Sequence, residues 1–97
     1  MTDAALRLDL WLWYARVARQ RSACVRLIEE GRIRINSQPV SKPHARLRIG
    51  DVLTLPAIGS RSIRVLCVTG LGDRRGSAEA ARLLYEEIAE TSFSKNP

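Results

Sequence analysis

The stretch that decides the fold is residues 7–51, RLDLWLWYARVARQRSACVRLIEEGRIRINSQPVSKPHARLRIGD. It holds both tryptophans of the chain, and its charged side chains are mainly cations. Because solvated protein surfaces usually mix both signs, a stretch that collects one sign favours an anionic partner. The cations are Arg7, Arg16, Arg19, Arg21, Arg26, Arg32, Arg34, Lys42, Arg46 and Arg48, against the anions Asp9, Glu29, Glu30 and Asp51.

The whole chain shares this charge imbalance. Its 97 residues carry a formal net charge of +6, and fourteen of the sixteen cations are arginine. Arginine makes forked contacts with phosphate and stacks on bases, so the composition favours nucleic acid as the anion. A chain of this length builds one hydrophobic core, and we expect a single domain at 7–90 with flexible termini at 1–6 and 91–97.

Nothing in the sequence indicates a catalytic or metal centre. Cys24 and Cys67 lack a second cysteine pair or a nearby histidine for zinc, and we expect both to be buried packing residues. His44 is the only histidine and has no partner at a metal or catalytic spacing. We therefore expect no enzyme activity and no cofactor. The absence of a signal-peptide core and of a membrane-span-length apolar run predicts a cytoplasmic protein.

Hydrophobic spacing predicts a first helix near the start of the stretch. Leu8, Trp11, Leu12 and Ala15 recur at three- and four-residue intervals, so they should share one buried face. Asp9 is placed to cap the free amides at the start of this helix.

A second helix is expected to begin at Ser22, acting as N-cap, and to end at Glu30. Gly31 would supply the left-handed residue after the last turn. Arg19 and Arg21 would then lie at the entrance of this helix, where the backbone amides and the helix dipole also favour an anion.

From Ile33 the hydrophobic period changes to two, which predicts a short strand leading into a turn at Asn36 and Ser37. A primed two-residue hairpin turn needs positive φ at both central residues and usually has glycine second, so Ser37 indicates another turn type or a strained turn. The other expected elements are an irregular segment around Pro39 and Pro43, strands at 52–55 and 62–68, and a loop between Gly70 and Gly76.

A last helix is predicted near the C terminus. Ser77 is placed to cap it, and Ala81, Leu84, Tyr85 and Ile88 would form one apolar stripe. The predicted fold class is therefore α+β, with two N-terminal helices packed on a small, mainly antiparallel sheet and a C-terminal helix.

The order of these signals resembles a known family. The signals are Arg7-Leu8-Asp9, Arg21-Ser22-Ala23, Gly31, Asn36, Lys42-Pro43 and Gly50-Asp51. They are similar to the alpha-L RNA-binding domain, the type of small-subunit ribosomal protein four, with a core motif at about 7–55. Within it, Trp11-Leu12-Trp13 and the run 74–87 most resemble the heat-shock protein fifteen family.

This resemblance implies a non-enzymatic binder of structured RNA. The implied target is rRNA of the large ribosomal subunit, in stress response or in the rescue of stalled subunits that carry a nascent chain on tRNA. The residues expected to bracket RNA phosphates are Arg16, Arg19, Arg21, Arg26, Arg34, Lys42 and Arg46.

Aromatic side chains next to these cations are candidates for stacking on unpaired bases. Trp13 and Tyr14 fit this role, whereas Trp11 is expected in the core. His44 is a further candidate RNA contact, as a neutral donor or a protonated one. Arg7, beside Asp9, is equally suited to a local ion pair and to RNA.

Other interpretations of the sequence stay open. The chain could be the appended domain of an RNA-modifying or tRNA-charging enzyme, a DNA-binding regulator, or a protein-interaction module. Against DNA, residues 24–30 offer mainly Arg26 as a donor to base edges. Arg74 and Arg75 are equally suited to contact RNA and to balance the acidic last helix. Nothing in the sequence requires a dimer, so a monomer is expected.

Overall fold

A computed structural model describes residues 4–57 and 61–92, the side chains of 89–92 excepted. The elements in chain order are β1 (Ala5–Arg7), α1 (Leu8–Tyr14), α2 (Arg21–Glu29), β2 (Ile33–Ile35), β3 (Gln38–Val40), β4 (Arg46–Arg48), β5 (Val52–Pro56), β6 (Ser62–Val68), α3 (Ala78–Arg82) and β7 (Tyr85–Ser92). This confirms the α+β class. Within the described ranges, no helix has the length and apolar character to cross a membrane.

The strands form two antiparallel sheets. The larger has five strands in the order β3-β2-β5-β6-β7, and β1 pairs with β4 in a separate two-stranded sheet. Sequence patterns indicated neither β1 nor β4. Ala5 and Leu6, which the sequence placed in a flexible terminus, lie in β1 opposite Arg48 and Leu47. At the other end, β7 extends to Ser92.

The core lies between the two N-terminal helices and the inner face of the larger sheet. The predicted apolar face of α1 is buried, with Leu8, Trp11 and Leu12 fully inaccessible to solvent. Burial of a leucine side chain contributes roughly 1.5–3 kcal/mol, so this face is a main source of stability. The sheet and α2 supply the other large buried side chains: Cys24, Leu27, Ile28, Ile33, Leu53, Leu55, Leu66 and Val68.

Helix α2 starts earlier than the sequence indicated. Its N-cap is Gln20, in an extended conformation, and Ser22 is already the second helical residue, so the prediction of Ser22 as N-cap is wrong. The carbonyl of Gln20 accepts hydrogen bonds from the amides of Ala23 and Cys24, which closes the first turn without a side-chain cap. At the other end, Gly31 has a φ of 73°, which confirms the predicted left-handed residue.

The β2–β3 hairpin has a primed two-residue turn, although its second residue is Ser37 and not the usual glycine. Asn36 and Ser37 have φ of 50° and 71°, so both central residues are left-handed. Of the two expected alternatives, another turn type is wrong and a strained turn is confirmed, because Ser37 has a Cβ at positive φ. The Asn36 side chain holds this turn in place, because its Oδ1 accepts from the Val52 amide at 2.9 Å and its Nδ2 donates to Asp51 at 3.0 Å.

The segment after the turn begins with strand β3, so the irregular structure expected around Pro39 is wrong, whereas residues 41–45, which include Pro43, lie in no helix or strand, as expected. Pro39 lies in β3, an edge strand of the larger sheet, and it pairs with Arg34 of β2. Proline is tolerated at an edge because its missing N–H faces solvent and removes no ladder hydrogen bond.

The predicted C-terminal helix is present but short. Ser77 caps α3 as expected, since its Oγ accepts from the Ala80 amide at 3.1 Å. The helical stripe through Tyr85 and Ile88 is wrong, because the chain from Tyr85 onward is a strand. Strand β6 needs a partner on its second edge, and β7 supplies it along the whole length of β6. This pairing overrides the helical spacing of the apolar residues.

The left-handed serine gives a prediction for stability. Ser37→Gly should raise the free energy of unfolding by about 0.5–1 kcal/mol, because glycine adopts positive φ without a Cβ clash. Urea denaturation measures this change. Ser41→Gly is the matched control, because Ser41 is exposed and outside the positive-φ residues, and it should give no gain. Equal effects from the two variants would contradict the argument.

Candidate nucleic-acid interface

The first amides of α1 are satisfied by backbone carbonyls of the turn at 42–45. The amide of Leu8 donates to the carbonyl of Ala45 at 2.8 Å, and that of Asp9 donates to the carbonyl of Pro43 at 3.1 Å. The expected capping by the Asp9 side chain is confirmed for one amide only, that of Leu10, which donates to Asp9 Oδ1 at 3.0 Å. The backbone hydrogen bonds also place the turn next to the start of α1, together with its predicted site residues Lys42 and His44.

The Asp9 side chain is buried and binds two arginines. Arg7 makes two hydrogen bonds to its carboxylate, both at 3.0 Å, and Arg21 makes one at 3.2 Å. Burial alone would raise the pKa of Asp9, but the hydrogen bonds from Arg7 and Arg21 outweigh it and lower the pKa below 3.8. The side chains of Arg7 and Arg21 are 44% and 45% exposed, so both also reach solvent.

More cations surround this pair. Arg46 lies directly opposite Arg7 across the β1–β4 ladder. Like charges opposite each other in a sheet are destabilising. Asp9 offsets the charge of Arg7 but makes no ion pair with Arg46. The side chains of Lys42, His44 and Arg46 are exposed and have no hydrogen-bond or ion-pair partner in the part of the chain described. The structure therefore gathers Arg7, Arg21, Lys42, His44 and Arg46 around the start of α1, and we call this group the α1 cluster.

The connection between α1 and α2 carries the next two predicted site residues. Arg16 has a φ of 60°, and its Nε donates to the carbonyl of Gly76 at 2.9 Å, so it anchors the distant 70–77 loop. Arg19 is exposed, as is Arg26 in the last turn of α2. Neither has a side-chain partner among residues 4–57 and 61–92. Arg19 and Arg26 are thus free to bind an anion, whereas Arg16 is partly committed to the fold.

Arg34 lies apart from the α1 cluster. It lines a groove of about 450 Å³ on the sheet together with Arg32, Thr54 and Arg61, and no other predicted site residue borders that groove. Arg32 makes only a long, exposed ion pair with Glu30, at 3.9 Å. Sequence reasoning did not select Arg32, although the alternation around Ile33 placed it outward, and no sequence signal pointed to Arg61.

The two candidate stacking residues differ in their surroundings. Trp13 is half-buried, and the guanidinium of Arg75 lies over its ring, 5.6 Å from the centroid. One face of Trp13 is therefore already covered. Tyr14 is also half-buried, 6.1 Å from Trp13 between ring centroids, and it borders a cavity formed with the 70–77 loop. Trp11 is in the core as expected, and its Nε1 donates to the Gly70 carbonyl at 2.7 Å.

The cysteines show no sign of reactivity. Burial raises the pKa of Cys24 to about 11, which keeps its thiol protonated at neutral pH. Cys67, expected to be buried, is only half-buried on β6. No three side chains able to ligate a metal come together within the described residues.

Comparisons with known proteins agree on one family. The S4 domain model matches residues 6–53. Heat shock protein 15 of Escherichia coli strain K12 is 37% identical over 86 residues, which cover 89% of this chain and 62% of the relative. The chain thus spans less than two thirds of that protein. The Heat shock protein 15 homolog of Aeromonas salmonicida is 39% identical over 95 residues, 97% of this chain and 68% of the relative.

A solved structure extends the similarity to the three-dimensional fold. The trimeric structure of Vibrio cholerae Heat Shock Protein 15 matches with a TM-score of 0.79 and 32% sequence identity. The match covers 89% of this chain and 84% of that one. The fold therefore agrees well beyond the two helices, over most of both chains.

The Asp9 ion pairs give a prediction with a pH signature. Asp9→Asn should lower the free energy of unfolding by about 1–3 kcal/mol, because two guanidiniums lose a charged acceptor. A lowered pKa stabilises the fold above the unfolded-state pKa and loses that contribution as pH falls. Wild-type stability should therefore fall below about pH 4, and the variant should lack this part of the fall.

Urea denaturation at a series of pH values measures both effects. Asp73→Asn is the control, because Asp73 is exposed and has no side-chain partner in the described part of the chain. The same pH profile for wild type and Asp9→Asn would show that the ion pairs do not stabilise the fold.

Proposed function

Because the chain belongs to the heat shock protein 15 family and carries an S4 domain, we propose that it is a non-enzymatic binder of structured RNA that acts on the large ribosomal subunit. RNA binding is the broad function that the family supports. The finer proposal is rRNA binding in stress response, on stalled subunits that still hold a nascent chain attached to tRNA. The names of the relatives support the heat-shock part, and the sequence resemblance supports the ribosomal part.

The observation that carries the proposal is the α1 cluster. Arg46 faces Arg7 across a ladder, and its guanidinium has no protein anion within the described residues. The cost of this arrangement is offset when a phosphate lies between or beside the two cations. A polyanion with regularly spaced charges also suits Lys42, which lies on the adjacent turn.

The ion pairs of Asp9 prepare two of these cations for binding. Arg7 and Arg21 are held by a buried carboxylate on one side and are open to solvent on the other. Such side chains lose less conformational entropy on binding than free ones, and this favours affinity. Contacts of this kind go to the RNA backbone, so we propose recognition of RNA shape with little reading of base edges.

A matched pair of charge reversals tests the wider basic surface of the two N-terminal helices, to which Arg26 adds an exposed cation outside the α1 cluster. Arg26→Glu should weaken RNA binding by about tenfold, which corresponds to one lost charged contact. Arg82→Glu should leave it unchanged. Both arginines are exposed in the last turn of a short helix, Arg26 in α2 and Arg82 in α3, so both variants lose the same interaction with a helix dipole.

Sedimentation with separated ribosomal subunits at several salt concentrations measures this difference. Arg26→Glu should also reduce the number of ions released by about one, on the order of 0.7–0.9. Equal affinity of the two variants for RNA would overturn the proposed surface. Binding to the large subunit that persists in excess unrelated RNA supports the ribosomal target, whereas equal displacement by duplex DNA supports only a general anion surface.

The expected monomer stays a prediction. The Vibrio cholerae relative was solved as a trimer, so the assembly state of this chain needs its own measurement. Sedimentation velocity of the protein alone, across a range of concentrations, should show a single species at the mass of one chain. A concentration-dependent shift to higher mass would contradict the monomer.

A further inference from the structure

A second concave site lies between the end of α1 and the 70–77 loop. Its volume is about 320 Å³, and its walls include Tyr14, Gly72, Asp73, Arg74 and Leu84. This volume is at the small end of ligand pockets, which span roughly 300–1,000 Å³. The pocket therefore has room for one small group and excludes a folded segment of protein or RNA.

Contacts at both ends hold the loop that forms this pocket. Near its start, the amides of Thr69 and Gly70 donate to the carbonyl of Leu84, at 2.9 and 3.1 Å. Near its end, Arg16 donates to the carbonyl of Gly76 at 2.9 Å. These anchors come from separate parts of the chain and hold both ends of the loop in place.

Gly72 keeps the pocket tight. It has a φ of 75°, and a Cβ added there would lie 3.3 Å from the Leu84 methyl carbons and 3.6 Å from Cδ2 of Tyr14. The backbone of the loop thus approaches the Tyr14 ring and the Leu84 side chain closely. This close packing holds the Tyr14 ring and the Leu84 side chain in place as walls of the pocket.

Three polar groups border this pocket and have no protein partner. The Tyr14 hydroxyl, the Asp73 carboxylate and the Arg74 guanidinium make no hydrogen bond or ion pair within the described residues. The aromatic ring can stack on a base, and the guanidinium can bind its phosphate. The carboxylate is unusual here, since it repels phosphate, so it indicates a ligand that donates hydrogen bonds.

The chemistry of a carboxylate selects among the four RNA bases. Its two oxygens accept two parallel N–H donors, as they do from arginine. On the Watson–Crick edge, only guanine presents two adjacent N–H groups, at N1 and N2. Unpaired bases in RNA loops are recognised on this edge while they stack on aromatic side chains.

We propose that this pocket binds one unstacked guanine of the bound RNA. Tyr14 stacks on the base, Asp73 accepts hydrogen bonds from its Watson–Crick edge, and Arg74 contacts the adjoining phosphate. This inference rests on the proposed RNA-binding function. It adds a base-specific contact to a surface that otherwise recognises only the shape of the RNA. It also assigns a role to Arg74, which the sequence left open between RNA contact and charge balance.

The full chain and free mononucleotides test the pocket directly. Chemical-shift titrations of the backbone amides at 72–74 should give a dissociation constant at least about tenfold lower for guanosine 5′-monophosphate than for the adenosine, cytidine or uridine analogues. Inosine 5′-monophosphate lacks the N2 amino group and should be intermediate. All five ligands carry the same phosphate, so their ranking reports on the base alone.

Variants separate this inference from the proposed function. Asp73→Asn should remove the preference for guanine and keep or slightly strengthen binding to bulk RNA, because a negative charge is lost. Glu79→Gln is the control, since Glu79 is an exposed carboxylate in the first turn of α3 that does not border the pocket. It should keep the preference.

Equal affinity for all five nucleotides, or a guanine preference that survives in Asp73→Asn, would overturn the pocket assignment. If bulk RNA still distinguishes Arg26→Glu from Arg82→Glu, the proposed function stands without the pocket. If neither bulk RNA nor guanosine 5′-monophosphate binds the wild type, both proposals fail.

Discussion

The ion pairs of Asp9 with Arg7 and Arg21 join three parts of the chain. Arg7 ends β1, Asp9 lies in the first turn of α1, and Arg21 begins α2. A buried carboxylate is costly to leave unpaired, so these elements are held in one relative arrangement. The same contact fixes the position of two cations on the protein surface, and stability and binding therefore depend on one group.

Part of the fold could be predicted from local pattern alone. The buried face of α1 was identifiable because its residues lie within one helix, where spacing records burial directly. Strands β1 and β4 were not, because each has three residues and their pairing joins Ala5 to Arg48. The C-terminal strand was missed for a related reason. The spacing of Leu84, Tyr85 and Ile88 fits a helix, and only the unpaired edge of β6 determines otherwise.

The sequence identified the cations of the candidate site, but it did not show which of them also bind partners within the fold. Charge is a property of the residue, so Arg16, Arg19 and Arg21 could be selected without a structure. Which of them also serve the fold depends on distant partners, the Gly76 carbonyl for Arg16 and Asp9 for Arg21. These partners lie sixty and twelve positions away in the sequence, and no local pattern connects residues at such separations. The pocket beside Tyr14 could not be predicted from the sequence for the same reason, since its walls include residues of α1 and of the 70–77 loop.

The aspartates of the basic stretch are occupied within the fold. Asp9 binds its two arginines, and Asp51 accepts from the Asn36 side chain and from the Arg48 amide, at 3.0 and 2.9 Å. Neither carboxylate makes an ion pair with the exposed cations Lys42 and Arg46 in the described part of the chain. The folded state carries the repulsion among these cations, and a bound polyanion relieves it. Because such a ligand binds only the folded arrangement with full affinity, binding also stabilises the fold by mass action.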